Sequence, residues 1–546
     1  MSVSKPELYG DCFKSTLTDE QCSRLMAIRD LKEYPIYKNM IFDFPNDLIM
    51  ESFERQVSIR QIIKERSIDF TPYIGSLRPY QQVGMAFMHE TKHCMIGDGV
   101  GLGKTAEISG LLNLLKQEGK LLRFLMAVET TAIGQTQVEL LRFTGLNVVS
   151  LPSESAKMQK FINNMDWSKV DGMLIKHSTL RSNTFNNWIG SKVGAGGKSQ
   201  LFNVFILDES SVIKGDDSQI HDYTANICAM ADMTYFMNAT PFEKCLMDIY
   251  YQFDMMDKNL LPDKSFMTKN FCVWKRKDFW KSVVVNGVRK PKLEHKFDIG
   301  GYKNEDIFKE SLKLAYIGRN KSQVGMDLPH IYKIYTVQPN PDQTSAISKG
   351  YAYNEVLNCP SLVPMANLPF NRKKCPKLDR LCTLAETELA GMRFMVYCFH
   401  IEAQQKIREE LTALGLRCCV INGSEPSGKD RDIQILDLLQ KFNSGGYDVI
   451  ITNLQRSLNL YGADALVMYS TTATVGRLEQ IRGRIDRNVD KRGRLFIMLL
   501  YEGTGEFDLI NEKARMRGEA SKNLILDTET AIDYFLASFD EGTDDF

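Results

Sequence analysis

From Leu77 onward, short runs of consecutive apolar residues alternate with longer stretches in which apolar positions recur every three or four residues. Runs at 94–96, 124–128, 173–175, 204–207 and 235–237 read as strands covered on both faces, the pattern of a parallel sheet flanked by helices. The stretch after Lys104 carries Ile108, Leu111, Leu112 and Leu115 on one helical face. A second set of runs, at 394–399, 418–421, 449–451, 466–469 and 495–500, repeats the arrangement. The pattern predicts an α/β protein with two parallel-sheet lobes in tandem. Between them, 242–372 is rich in Lys, Asp, aromatics and Pro, and it reads as helical insertions and a linker because its strand signal is weak. The expected division is an accessory segment at 1–70, a first lobe with a helical insertion at 71–300, a linker at 301–372, a second lobe at 373–525 and an acidic tail at 526–546.

Composition supports two lobes and narrows the partners. A chain of 546 residues exceeds what one hydrophobic core organises. Lys plus Arg equal Asp plus Glu at 68 each, which excludes an indiscriminate polycation and confines any nucleic-acid surface to a local groove. The twelve cysteines include no C-x-x-C pair, and Cys418 and Cys419 are adjacent. Reduced, mostly buried thiols in an intracellular protein are the expectation. No signal-peptide core follows Met1, and no apolar run approaches the roughly 18 residues that span a bilayer, so cytoplasmic or nuclear residence is expected by default.

The candidate chemistry begins at Gly97-Asp98-Gly99-Val100-Gly101-Leu102-Gly103-Lys104-Thr105. A short strand, a glycine-rich turn and a helix opening on Lys-Thr form an anion site. Backbone N–H groups around Gly99, Gly101, Leu102 and Gly103 face phosphates, Lys104 reaches the β and γ oxygens, and the Thr105 hydroxyl ligates magnesium. Asp98 occupies the first glycine position of the strict G-x-x-x-x-G-K-[ST] pattern, but the shorter G-x-G-K-T core is intact. About a hundred residues on, an apolar run delivers Asp208-Glu209-Ser210-Ser211. Two adjacent carboxylates at a strand mouth are costly without a cation. Asp208 suits the magnesium shell, and Glu209 suits orienting and deprotonating an attacking water. Taken alone, such a pair is more often a helix cap; its place downstream of Lys104 reverses that. Gly194-Ala195-Gly196-Gly197-Lys198, by contrast, reads as a surface loop and not as a second phosphate site.

With these motifs in place, residues 77–523 resemble the Swi/Snf-like group of superfamily two helicases and DNA translocases, whose lobes are RecA-like. In that resemblance Leu77-Arg78-Pro79-Tyr80-Gln81 is the adenine-reading segment, with Arg78 and Gln81 at the base. Val128-Glu129-Thr130-Thr131 and His177-Ser178-Thr179-Leu180 are similar to first-lobe segments that touch the nucleic-acid backbone, through Thr130 and Thr179. Asn238-Ala239-Thr240-Pro241 stands where the coupling motif does. Ile317-Gly318-Arg319-Asn320-Lys321 with Asp327-Leu328-Pro329 resembles the linker signature, Gly318 replacing a usual arginine, and Cys375-Pro376-Lys377-Leu378 resembles the start of the second lobe. There, Ser424, Thr452 and Asn453 fall where backbone phosphates are contacted, and Gln480, Arg484 and Arg487 match the final motif Q-x-x-G-R-x-x-R. Both arginines would sit against the γ-phosphate, where such a finger is worth about 10³–10⁵ in rate. One departure is Ser211, where the group has histidine or aspartate, so the contact between magnesium box and coupling motif must differ.

The resemblance implies ATP and Mg²⁺ as cofactors and a monomer that grips double-stranded or branched DNA, with replication or repair proteins as further partners. A strand-separating DNA or RNA helicase is the alternative among enzymes, and an ATP-gated clamp or scaffold the alternative of another class. The chain's last residues, Phe539 to Phe546, read first as a solvated acidic tail, and they are also similar to the acidic, phenylalanine-tipped tails of bacterial single-strand-binding proteins.

Overall fold

The structure is a computed structural model. It describes residues 77–506 apart from 131, 214–218, 240–245, 258–260, 262–263, 286–287, 304–311, 313–314, 320, 322–323, 327, 429–430, 455–457, 471–474, 487–491 and 505. The accessory segment, the acidic tail, Thr240, Pro241 and Arg487 lie outside the described residues.

Two parallel sheets form the body. The first joins β1 (His93–Ile96), β2 (Phe124–Val128), β3 (Val148–Ser150), β4 (Gly172–Lys176), β5 (Val204–Asp208) and β6 (Met233–Met237), with β9 (Tyr316–Ile317) added at one edge, in the order β3-β4-β2-β5-β6-β1-β9. The central strands are buried along their length, as sequences apolar at consecutive positions require when helices cover both faces. Helix α1 (Pro79–Thr91) precedes β1, and helix α2 (Lys104–Gln117) follows it, burying Ile108, Leu111, Leu112 and Leu115.

The second sheet joins β10 (Ile331–Val337), β11 (Phe394–Tyr397), β12 (Cys418–Ile421), β13 (Val449–Thr452), β14 (Ala465–Met468) and β15 (Leu495–Tyr501), in the order β10-β15-β14-β11-β13-β12. All ten strands expected from apolar runs are present, in an α/β architecture with two parallel sheets in tandem. The chain crosses from one sheet to the other within 318–330. Eight of the nine described cysteines are buried. Among the described residues no helix is long and apolar enough to cross a membrane.

The region between the sheets departs from the expectation. It does contain helices, at Leu246–Met256, Lys264–Phe271, Pro341–Ser348 and Tyr353–Asn358, but also a long antiparallel pair, β7 (Cys272–Val285) with β8 (Val288–Tyr302). Lysine-rich strands lower β-propensity and hide the apolar alternation, which is why the segment reads as weakly stranded. The overlooked signal is Asn286-Gly287 between Val285 and Val288, a two-residue turn sequence suited to a hairpin. Residues 194–198 form an exposed turn closed by a bridge between Val193 and Ser199, as expected of a surface loop.

Candidate active site between the two sheets

The phosphate loop leaves the C-terminal end of β1, the end at which parallel sheets place their ligands. Gly101 and Gly103 adopt left-handed backbone, φ +86° and +88°, open to glycine at low cost, and Gly103 caps α2 directly before Lys104. A side chain at Gly97 would collide with the Tyr316 hydroxyl 2.0 Å away, and one at Gly318 would meet the same hydroxyl at 2.3 Å. Gly318 therefore has a local reason: Tyr316 lies between it and the base of the phosphate loop.

Lys104 Nζ donates to the Asp98 carbonyl at 2.8 Å, which holds the ammonium over the loop. Asp98 is fully buried; its Oδ1 accepts from Arg319 Nε at 2.9 Å, and its Oδ2 forms an ion pair with Arg319 Nη2 at 2.8 Å. Arg319 Nη2 also donates to Glu107 at 3.0 and 3.1 Å, and its guanidinium lies 5.1 Å from the centre of the Tyr80 ring. Burial pushes the Glu107 carboxyl well above its usual range, while Arg319 draws it back. Arg319 is the functional residue that motif reading passed over, although it sits inside the recognised linker signature. Asp98 is thus an anchor for the linker, a role that no glycine could fill.

Gln81 is placed differently from the expectation. Its amide Nε2 donates to the Leu102 carbonyl at 2.9 Å, and its Oε1 accepts from Arg78 N at 2.9 Å. The side chain is buried and braces the phosphate loop against the start of α1, while Arg78 is exposed.

At the end of β5, Asp208 is half-buried and Glu209 has φ +50°, a conformation that a residue with a Cβ adopts at a cost. Burial, then the neighbouring Glu209 charge, raises the Asp208 carboxyl to about 7, opposed by Lys104. A cation bound beside Asp208 would favour its ionised form. Asp208 and the Thr105 hydroxyl line the same cavity and, with a nucleotide's own phosphates, would suit a magnesium ion, a set that needs no dedicated protein cage. No cluster of three or more His, Cys, Asp or Glu side chains poised for a metal occurs among the described residues.

The second lobe completes the cleft. Gln480 Nε2 donates to Glu209 Oε2 at 3.1 Å, joining the final motif to the Asp-Glu pair across 271 positions of sequence. The cavity has a volume of about 270 Å³, and Lys104, Thr105, Asp208, Glu209, Gln480 and Arg484 all line it. Two residues beyond Arg484, Asp486 accepts from His330 Nε2 at 3.1 Å and pairs with Lys321, whose Nζ also donates to the Asp486 carbonyl at 2.9 Å. A Cβ at Gly101 would come within 3.1 Å of that carbonyl. Arg487 lies outside the described residues.

The expected nucleic-acid residues divide. Thr130 and Ser424 are exposed, and the Ser424 Oγ donates to Asn422 Oδ1 at 3.1 Å. Thr179 is buried, so its hydroxyl offers no surface to a phosphate; the exposed neighbour is Ser178. Thr452 is also buried, and its Oγ1 accepts from Leu454 N at 2.9 Å, closing the turn after β13. Asn453 is half-buried and donates to the Phe399 carbonyl at 3.3 Å. At the Ser211 departure, the preceding Ser210 hydroxyl donates to Gln252 Oε1 at 2.5 Å, tying the Asp-Glu box to helix Leu246–Met256.

Residues 376–489 match the family described as helicase conserved C-terminal domain. No curated protein sequence matches the chain. Among solved structures, a Sulfolobus solfataricus SWI2/SNF2 ATPase core in complex with dsDNA is similar at 15% identity and TM-score 0.40, over 83% of this chain and 94% of that one. The Sulfolobus solfataricus SWI2/SNF2 ATPase core domain is similar at 16% identity and TM-score 0.40, over 85% and 93%.

Proposed function

We propose that this chain, which carries a helicase conserved C-terminal domain, is a DNA-dependent ATPase of the Swi/Snf-like type that translocates on duplex DNA and remodels forks, branches or bound proteins. The observation that carries the reading is the bond from Gln480 on the second lobe to Glu209 on the first, within a cleft also lined by Lys104, Thr105 and Arg484. A nucleotide held there touches both lobes, so its affinity differs between closed and open arrangements. That differential affinity is what lets a ligand drive movement.

In this reading Lys104 and the loop N–H groups hold the β and γ phosphates, and Glu209 orients the water and accepts its proton. Gln480 fixes the Glu209 carboxylate, and Arg484 stabilises charge on the transferred phosphoryl group. Magnesium, held by Thr105 and Asp208, would supply neutralisation of the phosphate oxygens. Repeated closure and relaxation would step the protein along phosphates and not base edges, so sequence preference should be slight.

The test compares ATP turnover with duplex, single-stranded and forked DNA and with RNA, followed by displacement of a triplex-forming strand. Stimulation by duplex DNA together with triplex displacement is expected. Stimulation by RNA alone, or turnover indifferent to every nucleic acid, contradicts the reading.

A further inference from the structure

The β7–β8 ribbon pairs with no other strand among the described residues. Its base is anchored: Phe271 and Cys272 are buried in the first core, and Ile299 and Tyr302 pack against it. One residue further out, Val273 and Trp274 are already 40% and 49% exposed. Strands of this length reach about 46 Å at roughly 3.3 Å per residue. A lone two-stranded ribbon is marginally stable in water, so its sequence is informative about what it meets.

Charge is concentrated there. In a chain with equal numbers of acidic and basic residues, 272–302 holds eight Lys or Arg against three Asp or Glu. The pairing register sets Lys277 opposite Lys296 and Lys281 opposite Lys292. Like charges directly opposite one another destabilise an isolated antiparallel pair. The register also places Lys275, Lys277 and Lys281 on the same ribbon face as Lys290, Lys292 and Lys296, with Asp298 and Glu294 as the acidic positions of that face. A face built this way is relieved by a polyanion.

We propose that this ribbon is a docking arm for duplex DNA, its lysine-bearing face taking the phosphodiester backbone. Charge complementarity selects the occupant, and a two-stranded β-ribbon has the width that the major groove of a duplex admits. The inference rests on the duplex-DNA reading above and adds to it a binding element none of whose residues lines the ATP cleft.

The test uses the full chain with Lys277, Lys281, Lys292 and Lys296 replaced by Gln, and measures nucleotide-free binding of a labelled duplex over a salt series. The slope of log K against log salt flattens by about 0.9 for every phosphate that the arm no longer neutralises. A slope shallower by about 2 to 4, with at least tenfold weaker binding at low salt, is expected. DNA-free ATP turnover should be unchanged, and stimulated turnover should need more duplex while reaching the same maximum. Glu294→Gln, which removes a negative charge from the face, should steepen the slope. Unchanged affinity and slope in both variants overturns the arm, and tighter binding to a single strand than to a duplex overturns its occupant. If the wild type binds duplex without stimulated turnover, the translocase reading fails while the ribbon is still judged by its slopes.

Discussion

Arg319 Nη2 lies 2.8 Å from Asp98 Oδ2, with both side chains almost wholly buried, so the linker between the sheets is bolted to the phosphate loop by a charge pair. Removing one member of a buried pair leaves the other uncompensated, at a cost of about 3–5 kcal/mol. Arg319→Met should lower the stability of the first lobe on that scale, measured by urea denaturation, and should raise KM for ATP more than it changes kcat. Arg319→Lys keeps the charge but loses the fork, and should recover only part of the loss.

The same network explains a glycine. A Cβ at Gly84 would lie 2.2 Å from Glu107 Oε2 and 2.7 Å from Arg319 Nη2. Gly84→Ala should therefore destabilise the protein despite alanine's better helix propensity, whereas Gly190→Ala, with nothing within 4 Å, should be neutral or slightly stabilising. Paired thermal melts decide this, and equal melting temperatures would count against the packing.

Glu209 joins strain to chemistry. Its φ of +50° costs about 1–2 kcal/mol for a residue with a Cβ. Glu209→Gly should melt no lower than the wild type yet hydrolyse no ATP. Glu209→Gln should bind nucleotide normally and stall hydrolysis, and loss of binding in that variant would contradict its role as the base.

Asp486 predicts a pH dependence. Burial raises its carboxyl, but the His330 hydrogen bond and the charges of Lys321 and Arg482 outweigh burial and hold it well below the usual carboxylate range. A carboxyl depressed in the folded state contributes stability in full above its unfolded value, near about 4, and loses it as the pH falls through the folded value. The stability advantage of the wild type over Asp486→Asn should therefore be constant near neutrality and shrink below about pH 4. An advantage that persists undiminished well below that pH would show that the charge is not what binds there.

Much of this was legible in the sequence because apolar runs and short motifs are local signals. The strands at 124–128 and 418–421 match β2 and β12 to the residue, and Lys104, Asp208, Glu209, Gln480 and Arg484 converge on one cleft. What motifs did not convey was burial and orientation. Thr179 and Thr452 occupy the expected positions with their hydroxyls inside, and Gln81 spends its amide on Leu102 and Arg78. Arg319 is only an arginine in a weak signature until the fold carries it across 221 positions to Asp98. Likewise β10 is only partly buried and carries no continuous apolar run, so it gains its place only by pairing with β15.

Whether an ATP site is shared between the two sheets is tested most directly by ATP turnover at saturating duplex DNA in Arg484→Ala. Arg484 belongs to the second sheet's lobe, while Lys104 belongs to the first. Turnover falling by about 10³-fold or more, to the level of Lys104→Ala, is the predicted result. Stimulated turnover close to that of the wild type would contradict it.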